Sequence, residues 1–382
     1  MTAGPLQGVK ILEMAGLGPA PFCGMMLADH GADVIRVDRP KRDGEVRDFE
    51  PRNVLNRSRR GMALDLKTAA GVGVLRDLAR GADGLIEGFR PGVMERLGLG
   101  PDVLLKDNPK MVYGRMTGWG QTGPLARTAG HDINYIAMSG VLDMLGRAGA
   151  KPTPPINLLG DFGGGGMLLA FGMVSAILQA RSSGEGQVVD CSMLEGSALL
   201  SSMIWGFRAQ GRWAGERGHN FLDTGAPFYE VYECADGRHV AIGALEPAFY
   251  AELRRGLGLA DDSAFDAQND ESVWEALKGK LATVFKTRTR DHWCAVFAGT
   301  DACFAPVLSM SEAAAHPHNT ARNSFICVDG VAQPAPAPRW SKTPAATPRL
   351  LKDPAQDGVD LLREMGYEEA RIRELQAAGI VG

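Results

Sequence analysis

Short apolar runs alternate with amphipathic stretches over the first half of the chain. Apolar runs at 9–14 and 33–38 flank a stretch with helical spacing at 22–30, which predicts a β-α-β unit. Strands that alternate with helices are typical of a doubly wound parallel sheet. We therefore predict a large α/β domain over residues 1–190. Its further strands are predicted at 61–67, 82–88, 111–116 and 184–190, and further helices at 69–80 and 93–97.

The stretch from Met167 to Leu178 is apolar on nearly every face, which predicts a helix enclosed in the core. The longest apolar stretch, Phe162 to Leu178, contains five glycines and is slightly shorter than the roughly 18 apolar residues that span a membrane. The N-terminus lacks the basic region and apolar run of a signal peptide. We therefore expect a cytoplasmic protein with no membrane partner.

The pattern changes after residue 190. A long apolar helix is predicted at 193–207. Apolar runs at 228–234 and 239–244 then flank Ala235-Asp236-Gly237, a sequence typical of a β-hairpin. We therefore expect a second, smaller domain that combines an antiparallel sheet with helices.

Helical spacing continues from the hairpin to about residue 315. A proline-rich connector at 334–348 and a pair of helices at 358–378 follow. The predicted segments after the large domain are a linker helix at 191–224, a small α+β domain at 225–330, and a return segment at 331–382 whose helices pack on the large domain.

The charges of the chain nearly balance. There are 41 Lys and Arg residues against 45 Asp and Glu, which gives a net charge of −4. This value excludes a general nucleic-acid-binding surface. The six cysteines are far apart and have no CxxC spacing, so we expect reduced thiols and no metal site.

A run of basic residues follows the second predicted strand. Since the chain as a whole is slightly acidic, the run suggests an anionic ligand such as a polyphosphate. Acidic residues interleave with it, however, and the run by itself is more typical of a solvated loop. Its members are Arg39, Lys41, Arg42, Arg47, Arg52, Arg57, Arg59 and Arg60.

The turn after the first predicted strand raises the alternative of a nicotinamide dinucleotide site. Gly16 and Gly18 lie in this turn, and Asp38 is placed to meet a ribose. The third glycine of the motif is missing, however, and Pro21 stands in its place. The sequence therefore disfavours this alternative.

Two proton-transfer residues, His131 and Asp161, lie on either side of a short segment before the apolar helix. Either one alone is more typical of a structural residue, such as an N-cap aspartate. Together with the four glycines at 163–166, which expose backbone N–H groups, they suggest a site that stabilises an enolate at a helix N-terminus. Glu246, before Pro247 at a predicted helix start, either favours the helix dipole or is a partner for His131.

Several motifs carry a resemblance to one family. They include Leu6-Gln-Gly-Val-Lys-Ile-Leu-Glu13, Ala32–Pro40, Gly160-Asp-Phe-Gly163 and Gly225-Ala-Pro-Phe-Tyr229. With Gly130-His-Asp-Ile-Asn-Tyr135, the most specific of them, they resemble the α-methylacyl-CoA racemases, a group within the class III CoA-transferase family.

The resemblance implies an interlocked homodimer with each site between the large domain of one subunit and the small domain of the other. It implies that His131 and Asp161 are two catalytic acid/bases, that Glu246 hydrogen-bonds to His131, and that no separate cofactor or metal takes part. The residues implied to hold coenzyme A are Arg39, Leu64, Asp65, Leu66, Lys67, Gly88, Phe89, Arg90 and Arg96. Those implied to hold the acyl thioester are Gly130, Asp132, Ile133, Asn134 and Tyr135.

The implied activity is inversion of the α-carbon of 2-methylacyl-CoA thioesters by two-base proton transfer through an enolate. The alternative is a CoA transferase of the same family, in which Asp161 is the nucleophile. His131 argues against that alternative, because a transferase needs no second proton-transfer group. A non-catalytic CoA-binding protein is expected to lack at least one of the three site residues, and all three are present.

Overall fold

The computed structural model describes residues 4–41, 49–213 and 215–382. The chain divides into two compact units. The large unit comprises Met1–Ser139, Ile156–Ser201 and Asn323–Gly382, and the small unit comprises Gly140–Pro155 and Ser202–Arg322. The sequence pattern placed the domain boundaries at 190 and 330 and did not assign residues 140–155 to the small domain, because periodicity reports local structure and not tertiary contacts.

The large unit is built on a parallel sheet of six strands in the order β3-β2-β1-β4-β5-β6. The strand order reverses between β1 and β4, which is where open α/β sheets bind ligands. The predicted doubly wound sheet is therefore confirmed. The strands are β1 Lys10–Met14, β2 Asp33–Asp38, β3 Arg60–Ala63, β4 Gly84–Glu87, β5 Val112–Thr117 and β6 Val188–Ser192.

Helices cover both faces of this sheet and form two separate apolar cores. One core contains Leu75 and Leu78 of the second helix, and the other contains Leu27 and Leu169. The helices of this unit before the small unit are α1 Pro19–Asp29, α2 Ala69–Arg80, α3 Val93–Arg96, α4 Pro101–Asp107, α5 Asp132–Met138, a π-helical segment Leu158–Met167 that continues as α6 Leu168–Ser183, and α7 Met193–Leu200.

The apolar helix that the sequence predicts to be enclosed in the core differs from the structure in two respects. It begins earlier, at Leu158, and only its inner face is buried, where Met173 packs against the sheet at Gly84 and Gly114. On its outer face Phe171 is 72% exposed. The prediction of burial on nearly every face is therefore wrong for the single chain, because hydrophobicity alone does not show what covers a face.

By length and composition, one helix in the described part of the chain is long and apolar enough to cross a membrane. It runs over the 26 residues Leu158–Ser183, and 44% of its most apolar window is buried within the structure. The π-helical segment supplies the extra length that the sequence pattern did not predict. The helix packs on the sheet as the central helix of a doubly wound unit does.

The small unit contains a three-stranded antiparallel sheet in the order β7-β8-β9. The predicted hairpin is confirmed, and Phe228, Trp274 and Phe285 pack in the apolar core of the unit. The long helix predicted at 193–207 is interrupted at Ser201, between α7 and α8. The elements are α8 Ser202–Ala209, β7 Tyr229–Glu233, β8 His239–Gly243, α9 Pro247–Gly256, α10 Trp274–Phe285, α11 Arg290–Val296, β9 Phe304–Pro306, α12 Met310–Ala315 and α13 Pro317–Ala321.

The return segment completes the large unit. Residues 335–357 contain neither helix nor strand, as the proline-rich pattern predicts. Leu64 pairs with Val381 in an isolated β-bridge, and Asp65 donates its N–H to Ile380 O at 2.9 Å. The elements of this segment are the antiparallel pair β10 Phe325–Val328 and β11 Val331–Pro334, then α14 Gly358–Glu364 and α15 Glu369–Ala377.

The basic run is not a solvated loop throughout. Arg59 is 1% exposed and donates to the Glu13 carboxylate, with Nη2 and Oε2 2.8 Å apart. Arg57 is also buried, and it donates to Asp29 and to Pro334 O of the return segment. These two arginines therefore pair with buried acids that are far away in sequence. Two further members of the run, Arg42 and Arg47, lie outside the described residues.

Candidate active site

Two neighbouring cavities lie at the carboxyl ends of the strands of the large unit. The first, of about 450 Å³, is lined by segments that follow β1, β2 and β3. The second, of about 480 Å³, is lined by segments that follow β4 and β5 together with part of the π-helical segment. Leu17 and Phe89 line both cavities, so the two adjoin at these apolar residues. The two cavities together are called the groove below.

The first cavity contains six residues of the predicted coenzyme A site. They are Arg39, Leu64, Asp65, Leu66, Lys67 and Phe89. The carboxylate of Asp38 also lines this cavity, but it accepts a hydrogen bond from Arg36 Nε at 2.8 Å. Because Arg36 neutralises this acid, the lining suits an anionic ligand better than a ribose that needs a free acceptor.

The second cavity brings His131 and Asp161 together. Five further predicted residues line it, namely Gly88, Phe89, Arg90, Gly130 and Tyr135. Its remaining lining is mostly apolar or glycine, including Met116, Trp119 and Met193. An apolar cavity with a few polar groups is typical of a small-molecule site.

The backbone on both sides of His131 is fixed by local contacts. His131 is the residue before α5, and its N–H donates to Asn134 Oδ1 at 3.0 Å. The Tyr135 hydroxyl donates to Gly130 O, and the Tyr135 ring lies edge-on to Trp119, with ring centroids 4.8 Å apart. The imidazole of His131 is exposed in the single chain. These contacts hold His131 at the wall of the cavity.

Asp161 lies in the first turn of the π-helical segment and is held at both its backbone and its side chain. Its N–H donates to Asp132 Oδ1 at 2.7 Å, and its Oδ2 accepts from Asn157 Nδ2 at 2.9 Å. Burial raises the pKa of Asp161, and the charge of Asp132 adds to this, whereas Asn157 and His131 oppose it. The protonated acid is therefore favoured more than in a free aspartate.

Asn157 is a site residue that the sequence analysis missed. It lies four residues before Asp161, and this spacing brings two side chains onto the same face of a helical turn. The spacing alone could have indicated the contact. Its hydrogen bond to Asp161 Oδ2 orients the carboxyl group and stabilises its charged form.

Four of the predicted substrate-binding residues line neither cavity: Arg96, Asp132, Ile133 and Asn134. Asp132 is buried and supports Asp161, while Asn134 accepts from the backbone of His131. Ile133 is exposed on α5, and Arg96 ends α3. The motif Gly130–Tyr135 thus contains residues that support His131 and Asp161 as well as residues that line the cavity.

The four glycines after Asp161 were expected to expose backbone to a ligand, and for three of them this expectation is wrong. Gly164, Gly165 and Gly166 are buried. A Cβ on Gly196 of α7 would lie 1.8 Å from Gly164 O, so these glycines permit the close packing of two helical segments. The Asp161 N–H is also already donated to Asp132. The predicted oxyanion site at this helix start is therefore not formed by that N–H.

Glu246 belongs to the small unit and precedes α9 directly. Its carboxylate is exposed and makes no hydrogen bond with the first N–H groups of that helix. Burial raises the pKa of Cys303, and the negative charge of Glu246 adds to this effect. The side chain of Glu246 therefore does not cap α9 by a hydrogen bond, although the residue directly precedes this helix.

Fold and site together are typical of an α/β enzyme, since His131 and Asp161 line one cavity beside basic residues at the switch point of a parallel sheet. Comparison with known sequences then identifies the family of the chain. The chain belongs to CoA-transferase family III, whose family model matches residues 6–357.

Curated relatives and a solved structure extend over nearly the whole chain. A mouse (Mus musculus) protein named alpha-methylacyl-CoA racemase is 50% identical over 380 residues, which are 98% of this chain and 97% of the relative. The human (Homo sapiens) protein of that name is 45% identical over 379 residues, with the same two shares. The crystal structure of a CAIB/BAIF family protein from Brucella suis has a TM-score of 0.79 at 26% identity and covers 95% of this chain and 100% of its own. These matches confirm the predicted family and fold class.

Proposed function

We propose that this protein is a racemase that inverts the α-carbon of 2-methylacyl-CoA thioesters. The observation that carries the proposal is the placement of His131 and Asp161 in one cavity of the large unit. The names of the mouse and human relatives support the same reaction. Inversion at this carbon involves no change of oxidation state, so the proposed reaction needs no redox cofactor.

The chemistry requires two groups that act on opposite faces of one carbon. One group removes the α-proton beside the thioester carbonyl, which gives an enolate, and the other returns a proton to the opposite face. A neutral His131 and a protonated Asp161 are suited to one direction of the reaction, and the reverse direction exchanges their roles. The raised pKa of Asp161 supports this arrangement, because it increases the fraction of aspartic acid that holds a proton.

The groove suits the remainder of an acyl-CoA. Arg39 and Lys67 in the first cavity give it the positive charge that phosphate groups require. Leu17, which is 86% exposed, and Phe89 offer apolar contact for the flexible arm of coenzyme A where the two cavities adjoin. In this assignment the thioester lies beside His131 and Asp161, and the phosphates lie beside the basic residues.

The test is incubation of the protein with a (2R)-2-methylacyl-CoA in deuterated water. We expect deuterium at the α-carbon together with formation of the 2S epimer, because a proton removed by one base is replaced by a deuteron from the other. Mass spectrometry and chiral chromatography measure the two products. Transfer of CoA to an added free acid, with covalent labelling of Asp161 and without α-exchange, would instead establish the transferase alternative.

We further propose that two copies of the chain form a homodimer in which Glu246 of one copy hydrogen-bonds to His131 of the other. The outer face of α6 supports a partner, since Phe171 and Leu178 are 72% and 71% exposed. In the same unit Leu199 and Leu200 are exposed as well. Large exposed apolar side chains that share one helix face, as Phe171 and Leu178 do, are typical of protein interfaces.

Mixed dimers test this arrangement. The variants His131→Ala and Glu246→Ala are co-expressed with different tags, and dimers that carry both tags are purified. If Glu246 acts across subunits, one of the two sites of a mixed dimer has both residues intact. We therefore expect about half the wild-type activity. If Glu246 acts within its own chain, the mixed dimer has no intact site, and its activity is the mean of the activities of the two variant homodimers.

A further inference from the structure

Glu87 connects the end of a buried strand to the groove. It is the last residue of β4 and is 1% exposed. Its Oε2 accepts a hydrogen bond from Phe89 N–H at 2.7 Å, and its Oε1 accepts from Arg115 Nε at 3.1 Å. Phe89 lines both cavities, and Arg90 lines the second. One buried carboxylate therefore fixes the loop at the junction of the cavities.

The charged groups that face Glu87 come from β5 and α3. Arg115 of β5 donates to Glu87, and its Nη1 also donates to Glu95 Oε1 of α3 at 2.8 Å. The remaining nitrogen, Arg115 Nη2, is buried and has no hydrogen-bond partner within the described residues. Tyr113, also of β5, lies close enough to interact with the charge of Glu87 and donates its hydroxyl to Leu99 O. The single positive charge of Arg115 is thus shared by two carboxylates.

We propose that Glu87 is a positioning residue that holds the 88–90 loop for binding of coenzyme A, and that protonation of Glu87 weakens this binding without changing the proton-transfer steps. The inference rests on the proposed function, because it takes coenzyme A as the ligand of the groove. Glu87 itself lines neither cavity. It therefore acts through Phe89 and not by contact with the reacting atoms.

The two donors that face Glu87 explain the dependence on protonation. An ionised carboxylate accepts from both Phe89 N–H and Arg115 Nε, whereas a protonated carboxyl has one oxygen that must donate. Burial raises the pKa of Glu87 to about 7, against the opposing effects of Phe89 N–H and Arg115. The contact to Phe89 is then weakened as the pH falls through this value.

The experiment measures binding of 3′-dephospho-CoA by calorimetry between pH 5.5 and 8.5. This ligand lacks the phosphomonoester, a group that itself titrates near pH 6. We expect wild-type binding to weaken about five-fold as the pH falls through 7, as for the loss of one hydrogen bond. Glu87→Gln is expected to bind about five-fold more weakly at pH 8.5 and to show little further loss on acidification.

Glu95→Gln is the matched control, because it removes the other carboxylate on Arg115 and touches neither cavity. We expect wild-type affinity at pH 8.5 and a midpoint at lower pH, since the charge of Glu95 contributes to the raised pKa of Glu87. In the racemase assay at pH 8.5, Glu87→Gln should raise KM by the same factor by which it raises the dissociation constant of 3′-dephospho-CoA. It should leave kcat within about two-fold of the wild-type value. A role in overall folding alone would not produce this division between KM and kcat.

Three results would overturn the inference: a Glu87→Gln variant with the wild-type binding profile, a loss of kcat at unchanged affinity, or a wild-type profile that is flat around pH 7. The wild-type profile decides the question even if Glu87→Gln does not fold, because it is measured without the variant. A protein that binds dephospho-CoA with the expected pH dependence but exchanges no α-proton would support the role of Glu87 and contradict the racemase. Absence of any binding would contradict both.

Discussion

Replacing His131 by alanine is expected to lower the rate of epimerisation by about 10²- to 10⁴-fold, the usual contribution of a general acid or base. The remaining Asp161 can still remove and return a proton on its own face. One epimer should therefore exchange its α-proton in deuterated water without inverting, while the other stays unlabelled. Asp161→Ala should show the opposite preference. Proton NMR of each pure epimer measures the exchange.

Exposed residues of the same types provide the controls. His219→Ala and Asp102→Asn change a histidine and an aspartate that are exposed and line neither cavity. Both variants are expected to retain wild-type exchange at both epimers. If His131→Ala stopped exchange of both epimers equally, a mechanism with one base on each face would be wrong.

Substitution of Gly196 by alanine is expected to destabilise the protein by about 3 kcal/mol, at the upper end of the range for overpacked cores. The added Cβ would lie 1.8 Å from Gly164 O, and a backbone atom cannot rotate out of the way as a side chain can. The segments must separate, and one of them carries Asp161. Denaturant unfolding measures the loss of stability, and activity is expected to fall as well.

A glycine in an open part of a helix of the same unit is the matched control. Gly73 lies on α2, and a Cβ there would meet nothing within 4 Å. Gly73→Ala is expected to change stability by no more than about 1 kcal/mol, in the stabilising direction, because alanine loses less backbone entropy in a helix. Equal losses from both substitutions would show that the contact between Gly164 and Gly196 is not tight.

Most of the large unit follows from the sequence because its strands are short apolar runs between clear turns. β2 and α2 have the bounds that the pattern predicts. The start of the helix at Leu158 was missed, because four glycines in succession disfavour a helix when read locally. Close packing of Gly164 against Gly196 outweighs that preference.

The proximity of His131 and Asp161 was predictable, because two proton-transfer residues on either side of a short segment before an apolar helix are uncommon. The residues that support the site were not predictable. Asp132 holds Asp161, and Glu87 holds the 88–90 loop, through hydrogen bonds to backbone N–H groups, and no periodicity marks such contacts. Arg57 and Arg59 were read as parts of a basic loop because their partners, Asp29 and Glu13, are distant in sequence.

The β-bridge between Leu64 and Val381 has a consequence for synthesis of the protein. Leu64 belongs to the segment that lines the first cavity, and its neighbour Asp65 donates to Ile380 O. On the ribosome, the whole of the small unit is translated before these partners exist. The segment at 64–65 therefore gains these two contacts only after residues 380 and 381 have been translated, and a nascent chain stalled before them would lack this support of the first cavity.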